Sequence, residues 1–313
     1  MSAVQWARAF APASVGNVAI GFDILGFAVD ALGDRVTVRR RAEPGVRISE
    51  VSGVAGPLPS DPRENTAGRA VLAMCEGLRP EYGLEVSIEK GIPLGSGLGG
   101  SAASAVAAVV AANEVLGAGC EKEQLLRYAM QGEAVASGSL HVDNISPSLF
   151  GGLVLTVGIE QPRIKRIPVP SGVRAVLVHP HMYLGTREAR AILKREVSLG
   201  DFVWQTAHLA GFICGCYTQD LELIRASFED VVIEPQRQVL IPGFAAARAG
   251  ALGAGALGCS ISGAGPTLFA WALEGQAAEV LRAMREPFEA AGTAVDEWVV
   301  DLEREGARVV GRG

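Results

Sequence analysis

The chain has no block of basic residues and little net charge. Its 313 residues include 28 Lys or Arg and 34 Asp or Glu, which gives a net charge of −6. A protein that follows a nucleic-acid backbone needs a clustered positive surface, so nucleic acid is not expected as a partner. An anionic ligand must therefore be held locally, by backbone N–H groups and a few placed Lys or Arg side chains.

Long apolar runs are also missing. The longest run of small, mainly apolar residues, 102–112, is far shorter than the ~20 residues that cross a bilayer. The first ten residues include Gln5, Trp6 and Arg8 and lack the apolar stretch of a secretion signal. We therefore expect a protein that is neither exported nor bound to a membrane.

Cysteine is scarce, and its spacing fits neither a zinc site nor a disulfide framework. The five residues are Cys75, Cys120, Cys214, Cys216 and Cys259. Reduced thiols in a cytoplasmic protein are the expectation. His179 and His181 could share one face of a strand, but without a second ligand pair they make a weak metal site.

The length of the chain predicts two lobes with a cleft between them. A single core stops growing at roughly 250–300 residues, and this chain exceeds that size. Residues 158–172 are rich in Gly and Pro and lie between two strand-like runs, which is typical of a lobe boundary. We place the division near residue 166, giving an N-terminal domain of residues 1–166 and a C-terminal domain of residues 167–313.

Strand and helix patterns are mixed along the chain. Residues 35–39, 46–51, 84–89, 153–157 and 173–178 have the alternating or β-branched character of strands. Helices are predicted for residues 66–77, 101–116, 120–137, 186–193, 199–218 and 275–290. Because strands also follow one another without intervening helices, the pattern favours an α+β fold over a regular parallel array.

A glycine-rich loop, PLGSGLGGSAA at residues 93–103, joins a predicted strand to a predicted helix. Glycines let successive N–H groups converge, and the helix start adds its positive end, so the loop favours a phosphate. A Walker loop is excluded because no Lys follows Gly100. Gly95, Gly97 and Gly100 satisfy a dinucleotide fingerprint, but no acidic residue ends a following strand, which leaves an NAD enzyme as the weaker alternative.

A second loop, GCSISGAGPT at residues 258–267, precedes an apolar run. Its glycines and hydroxyls could approach the same ligand from the other lobe. Together with APASVGNVAIGFD at residues 11–23, the two loops resemble the three motifs of the GHMP kinases, in matching order. The resemblance covers nearly the whole chain. It implies an N-terminal lobe like ribosomal protein S5 domain 2, a ferredoxin-like C-terminal lobe, and ATP as phosphate donor.

Four further segments resemble the homoserine kinases of that family. They are GFDILG at residues 21–26, HVDNISP at 141–147, TREAR at 186–190, and IEPQR at 233–237. This resemblance implies that L-homoserine and ATP are converted to O-phospho-L-homoserine and ADP with Mg²⁺, in threonine biosynthesis, by a homodimer. Another GHMP small-molecule kinase, or a non-catalytic relative that binds the same ligands, is the alternative.

The resemblance also implies which residues contact ATP and the metal. Gly99 and Gly100 replace a Gly-Ser pair common in the family, which removes one hydroxyl and leaves the N–H donors. Glu133 could instead be a solvated helix residue, and Lys90 could equally be a surface charge at a strand end. The expected ATP contacts are Asn65, Lys90, Pro93, Leu94, Gly95, Ser96, Gly97, Leu98, Gly99, Gly100, Ser101, Ala102 and Ala103, and the expected Mg²⁺ ligands are Ser101 and Glu133.

Homoserine carries an ammonium, a carboxylate and a hydroxyl, so its site needs anionic and cationic partners. Arg190 and Arg237 could hold the carboxylate in bidentate geometry. Arg190 could otherwise pair with a carboxylate on its own helix. The residues expected to bind substrate are Asn17, Asp23, His141, Asn144, Thr186, Arg190, Arg237 and Gly263.

Asp23 and Asn144 are the candidate catalytic residues. In the segment of mevalonate kinases that resembles this one, an aspartate occupies the position of Asn144. An amide cannot accept a proton as an aspartate can. Asp143 is expected to point away from Asn144, as neighbours on an extended segment do. We therefore expect no strong general base, with Asp23 orienting the hydroxyl.

Overall fold

The structure is a computed structural model that describes residues 4–54, 56, 58–137, 142–158 and 160–313. The strands are β1 (Trp6–Gly16), β2 (Leu25–Arg41), β3 (Val46–Gly53), β4 (Gly83–Lys90), β5 (Leu153–Val157), β6 (Arg163–Ile167), β7 (Val173–Pro180), β8 (Gly258–Ile261), β9 (Leu268–Leu273), β10 (Val295–Val300) and β11 (Arg308–Arg312). The helices are α1 (Thr66–Leu78), α2 (Gly100–Leu116), α3 (Lys122–Ser137), α4 (Ile145–Phe150), α5 (Thr186–Ala191), α6 (Leu199–Thr218), α7 (Leu221–Ser227), α8 (Glu234–Arg237), α9 (Phe244–Gly253) and α10 (Ala277–Ala290).

The first sheet has the strand order β11-β1-β2-β4-β3, and β5 and β6 extend it from β2. The small residues Ala7, Ala9 and Ala11 alternate along β1 and are fully buried. Helix α2, made largely of Ala and Val, packs on β1 and β2 and is buried over most of its length. Small side chains on both surfaces allow this close approach, which holds the start of α2 beside the end of β4.

The second sheet has the order β10-β7-β9-β8, with all neighbours antiparallel. Helices α9 and α10 pack on it and against each other. Val176, Val178, Phe244 and Phe288 belong to the apolar core between sheet and helices. The mixture of antiparallel sheets and separate helices confirms the predicted α+β class. In the described part of the chain, no helix combines the length and apolar character needed to cross a bilayer.

The two sheets divide the chain close to the predicted boundary, but not at one point only. The change of sheet falls between β6 and β7. The last strand, β11, then returns to the first sheet and pairs with β1. The domain division near residue 166 stays a prediction, and the first sheet is completed by the C-terminal end of the chain.

A cluster of buried aromatic side chains joins the two lobes. Phe27 of β2 lies 5.6 Å from Phe269 and 5.8 Å from Trp271, both of β9, between ring centroids. Phe212 of α6 and Phe228 pack on the same Trp271 ring. Only 6% of the residues are aromatic, and this concentration at the contact between lobes stabilises their relative position.

Candidate active site

A cleft of about 350 Å³ is lined by residues of both lobes. Its walls are the N-terminal loop that follows β1, the glycine-rich loop that begins α2, the start of α4, and the second glycine-rich loop. Of the predicted site residues, all but three line the cleft. His141 lies outside the described residues, while Leu98 and Ala103 are fully buried beneath the glycine-rich loop.

The glycine-rich loop has the geometry of an anion site. Gly95, Gly97 and Gly99 take φ values of 64°, 79° and 68°, in the left-handed region that favours glycine. Helix α2 begins at Gly100, and its N-cap, Gly99, makes no side-chain cap hydrogen bond to the helix. The first N–H groups of α2 and its dipole therefore favour a negative group in the cleft.

The second glycine-rich loop braces the first. Ser262 Oγ donates to the carbonyl of Gly97 at 2.7 Å, and Thr267 Oγ1 donates to the carbonyl of Ser96 at 2.6 Å. A Cβ on Gly97 would lie 2.5 Å from the Ser262 carbonyl oxygen. Because the backbones of the two glycine-rich loops lie so close together, the conformation of the first loop depends on the second lobe.

Lys90 lies in a buried network that anchors the start of α2. Its Nζ forms an ion pair with Asp34 and donates to the carbonyl of Gly100 at 2.6 Å and to Ser104 Oγ at 2.9 Å. Asp34 Oδ1 accepts from the backbone N–H of Gly91 at 3.0 Å. Sequence reasoning missed Asp34, since one acidic residue in a strand with many charges carries no distinguishing pattern. Lys90 lines the cleft, and these contacts make it a positioning residue.

Asn65, at the far end of the cleft, is the N-cap of α1. Its Oδ1 accepts from Ala67 and Gly68 N–H at 3.0 and 3.2 Å, and its Nδ2 donates to the carbonyl of Pro59 at 3.0 Å. Loss of this N-cap would lower the free energy of unfolding by about 1 kcal/mol. The side chain thus shapes this wall, together with Leu58.

Two possible oxygen ligands of a metal ion lie close together, Ser101 in the glycine-rich loop and Glu133 in α3. Ser101 Oγ donates to Glu133 Oε2 at 2.6 Å. Burial raises the pKa of Glu133 to about 7, although the Ser101 hydrogen bond and the charge of Lys90 lower it. A hydroxyl and a half-buried carboxylate next to a phosphate site fit a hard cation such as Mg²⁺, which prefers oxygen ligands and is often bound by one or two carboxylates together with phosphate oxygens. Within the described residues no group of three or more His, Cys, Asp or Glu forms a separate metal cluster.

The other end of the cleft holds charged side chains from both lobes. Asp23, with φ of 65°, forms an ion pair with Arg190. Arg237 is buried; its Nε donates to the carbonyl of Ala189 at 3.1 Å and its Nη1 to that of Gly263 at 3.0 Å. Burial, followed by the charge of Arg190, lowers the pKa of Arg237 to about 10, so it stays cationic at neutral pH.

Both arginines contact the ring of Phe22. The guanidinium carbons of Arg190 and Arg237 each lie 5.0 Å from the centroid of its ring. Cation–π attraction at this distance stabilises both guanidinium groups and reduces the cost of placing them in one site. Sequence reasoning missed Phe22, although it lies in the quoted GFDILG segment, because a lone aromatic residue in an apolar segment is more often part of a core.

The prediction that Asp143 and Asn144 point to opposite faces is wrong. They lie in a turn before α4, not on an extended segment, and both line the cleft. Asn144 Nδ2 lies 3.4 Å from Asp143 Oδ2, and Ser14 Oγ donates to Asn144 Oδ1 at 3.0 Å. Burial, followed by the charge of Asp23, raises the pKa of Asp143 to about 7. Asp23 is therefore not the only carboxylate at the acceptor end.

The remaining predicted residues are placed as follows. Thr186 is the first residue of α5 and lines the cleft beside Leu184. His179 and His181 lie apart from it: His179 Nδ1 is 3.0 Å from Thr267 Oγ1, and His181 pairs with Asp296 at 3.1 Å. Each imidazole thus has its own protein partner.

Fold and cleft together define a two-lobed kinase in which a glycine-rich loop and a helix start face a polar acceptor site. Comparison with protein-family models matches the GHMP kinases N terminal domain over residues 65–152 and GHMP kinases C terminal over residues 215–290.

Relatives that match over almost their full length are homoserine kinases. That of Xylella fastidiosa strain M12 is 52% identical, over 97% of this chain and 94% of its own. That of Chlorobium phaeovibrioides is 44% identical, over 97% and 99%. Among solved structures, the homoserine kinase of Cytophaga hutchinsonii has a TM-score of 0.95 at 42% identity, over 99% of each chain.

A more distant likeness shows the fold alone. The mevalonate kinase of L. major has a TM-score of 0.68 at 15% identity, covering 94% of this chain and 95% of its own. The two family models and the homoserine kinases that match over nearly the whole chain show that the chain belongs to the GHMP kinase family and is a phosphotransferase.

Proposed function

We propose that this kinase transfers the terminal phosphoryl group of ATP to the hydroxyl of L-homoserine, giving O-phospho-L-homoserine for threonine biosynthesis. The observation that carries the proposal is the convergence of Arg190, Arg237, Asp23 and Asp143 on one end of the cleft that holds the phosphate loop. An amino acid that presents a carboxylate, an ammonium and a hydroxyl matches these two cations and two anions. Close identity to homoserine kinases over nearly the whole chain supports the same assignment.

The residues of the cleft divide the work. Backbone N–H groups of the glycine-rich loop after Pro93, including those of the first turn of α2, hold the phosphates. Arg190 and Arg237 orient the acceptor by its carboxylate, and Asp23 and Asn144 orient the hydroxyl. Phosphoryl transfer gains most from such positioning and from charge neutralisation. Mg²⁺ would supply part of that neutralisation, held by Ser101 and Glu133 on their oxygen atoms.

The test is ADP release by the purified chain with L-homoserine, mevalonate, shikimate or galactose as acceptor. We expect homoserine to be preferred by more than ~10³-fold in kcat/KM, because none of the other three acceptors presents both a carboxylate to Arg190 and Arg237 and an ammonium to Asp23 and Asp143. A preference for mevalonate or a sugar would overturn the substrate, and binding of ATP without turnover of any acceptor would support a non-catalytic relative.

The family resemblance also supports a homodimer in the cytoplasm. All five cysteines are free thiols, and four of them are buried or half-buried. Free thiols fit a reducing compartment. Light scattering of the purified chain tests the dimer, and fractionation of cells tests the location.

A further inference from the structure

Helix α6 exposes an apolar face on the side opposite the core. Phe212 and Cys216 of this helix are fully buried. On its outer side Val203 is 54% exposed and Tyr217 is 49% exposed, and Trp204 beside them is 62% exposed. Large apolar side chains that cluster on one exposed helix, instead of scattering singly, are typical of an interaction surface.

The outer face carries no charge. Among the 20 residues of α6 only Asp201 is an acid, and there is no Lys, Arg or Glu. A solvated helix of this length usually carries charged residues on its outer face. A helix that binds a lipid surface usually carries Lys or Arg beside its apolar face, and α6 has neither, which argues against a membrane as the occupant.

The exposed residues follow the spacing of a helix pair. Those on the outer face recur at alternating intervals of three and four residues, and every one of them is exposed: Gly200, Val203, Ala207, Ala210, Cys214 and Tyr217. We call this row the α6 stripe. It is about 26 Å long and covers about two and a half heptads, enough for a helix pair inside a larger interface but too short for a free-standing coiled coil.

The α6 stripe is complementary to itself when reversed. A two-fold axis between His208 and Leu209 places Tyr217 opposite the partner's Gly200, and Val203 opposite the partner's Cys214. Ala207 then meets the partner's Ala210. The largest residue faces the smallest and the two central layers are small, so two copies of the helix can approach closely without a void or a clash.

We propose that the α6 stripe is a homodimer surface, in which α6 packs antiparallel against α6 of a second copy of this chain. A two-fold interface uses the same patch on both subunits, which is the property that this residue spacing has. Exposed Leu199, Phe202 and Trp204 flank the stripe and widen the contact toward the ~800 Å² per partner of a standard interface. The surface does not depend on which acceptor the kinase uses.

Cross-linking tests both the surface and its direction. The full chain with Val203→Cys, oxidised with copper phenanthroline, should give a covalent dimer through Cys214 of the second copy. The native chain should not, because antiparallel packing separates the two Cys214 thiols by about 16 Å along the helix pair. The matched control, Val203→Cys with Cys214→Ser, should also stay monomeric on denaturing gels. Cross-linking of the native chain as fast as the variant, or none in the variant, overturns the proposal.

A second measurement does not rely on a new thiol. Ala210→Glu places a carboxylate in the centre of the apolar contact and should convert the dimer to monomer in light scattering at equal concentration. Val157→Glu, at a site 56% exposed on β5, is the matched control and should leave the dimer intact. ADP release reports that each variant is folded. A native monomer at all concentrations overturns both the surface and the proposed dimer, whereas a dimer unaffected by Ala210→Glu overturns the surface alone.

Discussion

The Nδ2 atom of Asn17 donates a 2.9 Å hydrogen bond to the carbonyl oxygen of Gly263, a residue 246 positions later in the chain. The same amide accepts from the N–H of Asp23 at 3.0 Å through its Oδ1. Arg237 also donates to the Gly263 carbonyl. The Asn17 side chain therefore connects the residues that face the acceptor in both lobes. Asn17 itself takes φ of 69°, which asparagine tolerates better than most residues.

Replacing this amide by a carboxylate tests that connection. Asn17→Asp keeps the size of the side chain, and aspartate also tolerates a positive φ. It places a carboxylate oxygen, in place of the NH₂ donor, against the Gly263 carbonyl oxygen. We expect KM for homoserine to rise at least tenfold and the free energy of unfolding to fall by about 1–3 kcal/mol. Steady-state kinetics and urea unfolding measure the two effects.

The chain offers a matched control. Asn113 uses its Oδ1 and Nδ2 in the same two-sided way, with the N–H and carbonyl of Cys120, away from the cleft. Asn113→Asp should lower stability by a similar amount and leave KM unchanged. Equal KM values for the two variants would show that the Asn17 contact has no part in acceptor binding.

The contact between the two glycine-rich loops predicts a large effect at Gly97. Both Gly97 and Gly117 have positive φ, so alanine is strained at either position by about 1 kcal/mol. A Cβ on Gly97 meets backbone oxygens of Ser262 and Gly265 at 2.5 and 2.7 Å, while a Cβ on Gly117 meets nothing within 4 Å. Gly97→Ala should therefore reduce kcat/KM for ATP by at least ~10²-fold. Gly117→Ala, its control, should stay near the native value, and similar losses in both would show strain alone.

Ser101→Ala and Glu133→Gln test the expected metal ligands. The first removes a hydroxyl oxygen and the second removes the carboxylate charge, both with little change in volume, so the Mg²⁺ concentration for half-maximal rate should rise at least about tenfold. Magnesium titration of the ADP-release rate measures it. Glu123→Gln, an exposed carboxylate on the same helix as Glu133, is the control and should not respond. A residue whose variant keeps the native magnesium dependence is not a ligand.

Glu234 predicts a pH dependence of stability. It accepts from Ser260 and pairs with Arg248 at 3.0 Å, yet burial raises its pKa to about 7. Its pKa in the unfolded chain is about 4.3, so the folded state binds the proton more tightly. The contribution of Glu234 to the free energy of unfolding is therefore full below about pH 4 and lost as pH rises to about 7, at up to ~1.4 kcal/mol per pH unit.

Glu234→Gln cannot titrate and isolates this contribution. The unfolding free energy of the native chain minus that of Glu234→Gln should fall between pH 5 and pH 7 and level off above pH 8, as measured with urea. Glu279 is an exposed carboxylate whose pKa is lowered by a hydrogen bond from Arg282, so Glu279→Gln should give a constant difference over this range. A constant difference for Glu234→Gln as well would contradict the raised pKa.

Local sequence patterns predicted much of the fold. Residues 199–218 form α6 within the predicted bounds, and residues 153–157 form β5. Helix α10 starts at Ala277, two residues later than predicted, because a 3-10 turn over residues 274–276 precedes it. Strands β1 and β11 were not predicted. Their pairing joins the two ends of the chain, a long-range contact that periodicity within a short window does not carry.

The site was predicted best where the backbone makes it. The glycine-rich loops were evident from composition, since glycine at several positions in succession implies a special backbone. Side chains whose role comes from contacts in space were missed. Asp34 becomes a partner of Lys90 only when β2 and β4 pair, and Phe22 contacts two arginines from the other lobe. The orientation of Asp143 was wrong because α4 begins one residue after Asn144, where strand alternation does not apply.

The structure adds a second candidate to the prediction that the site has no strong general base. Two carboxylates, Asp23 and Asp143, now lie at the acceptor end of the cleft. Asp23 is engaged by Arg190, which favours its role in orientation. Asp143 is buried, and its raised pKa of about 7 is the kind of value a base at neutral pH would have. Each residue therefore needs its own test.

A general base contributes ~10²–10⁴-fold to the rate, and a loose transition state for phosphoryl transfer needs little early proton removal. We expect Asp23→Asn and Asp143→Asn each to lower kcat by clearly less than the upper end of that range, with the larger change in KM for homoserine. In neither variant should an acidic limb of the native pH profile of kcat disappear.

A loss near ~10⁴-fold in one variant, together with an acidic limb that vanishes in that variant alone, would identify that carboxylate as the base. If instead both variants raise KM and leave the profile of kcat unchanged, the two carboxylates act by holding the ammonium and hydroxyl groups, and catalysis rests on placement and on neutralising the charge of the phosphate.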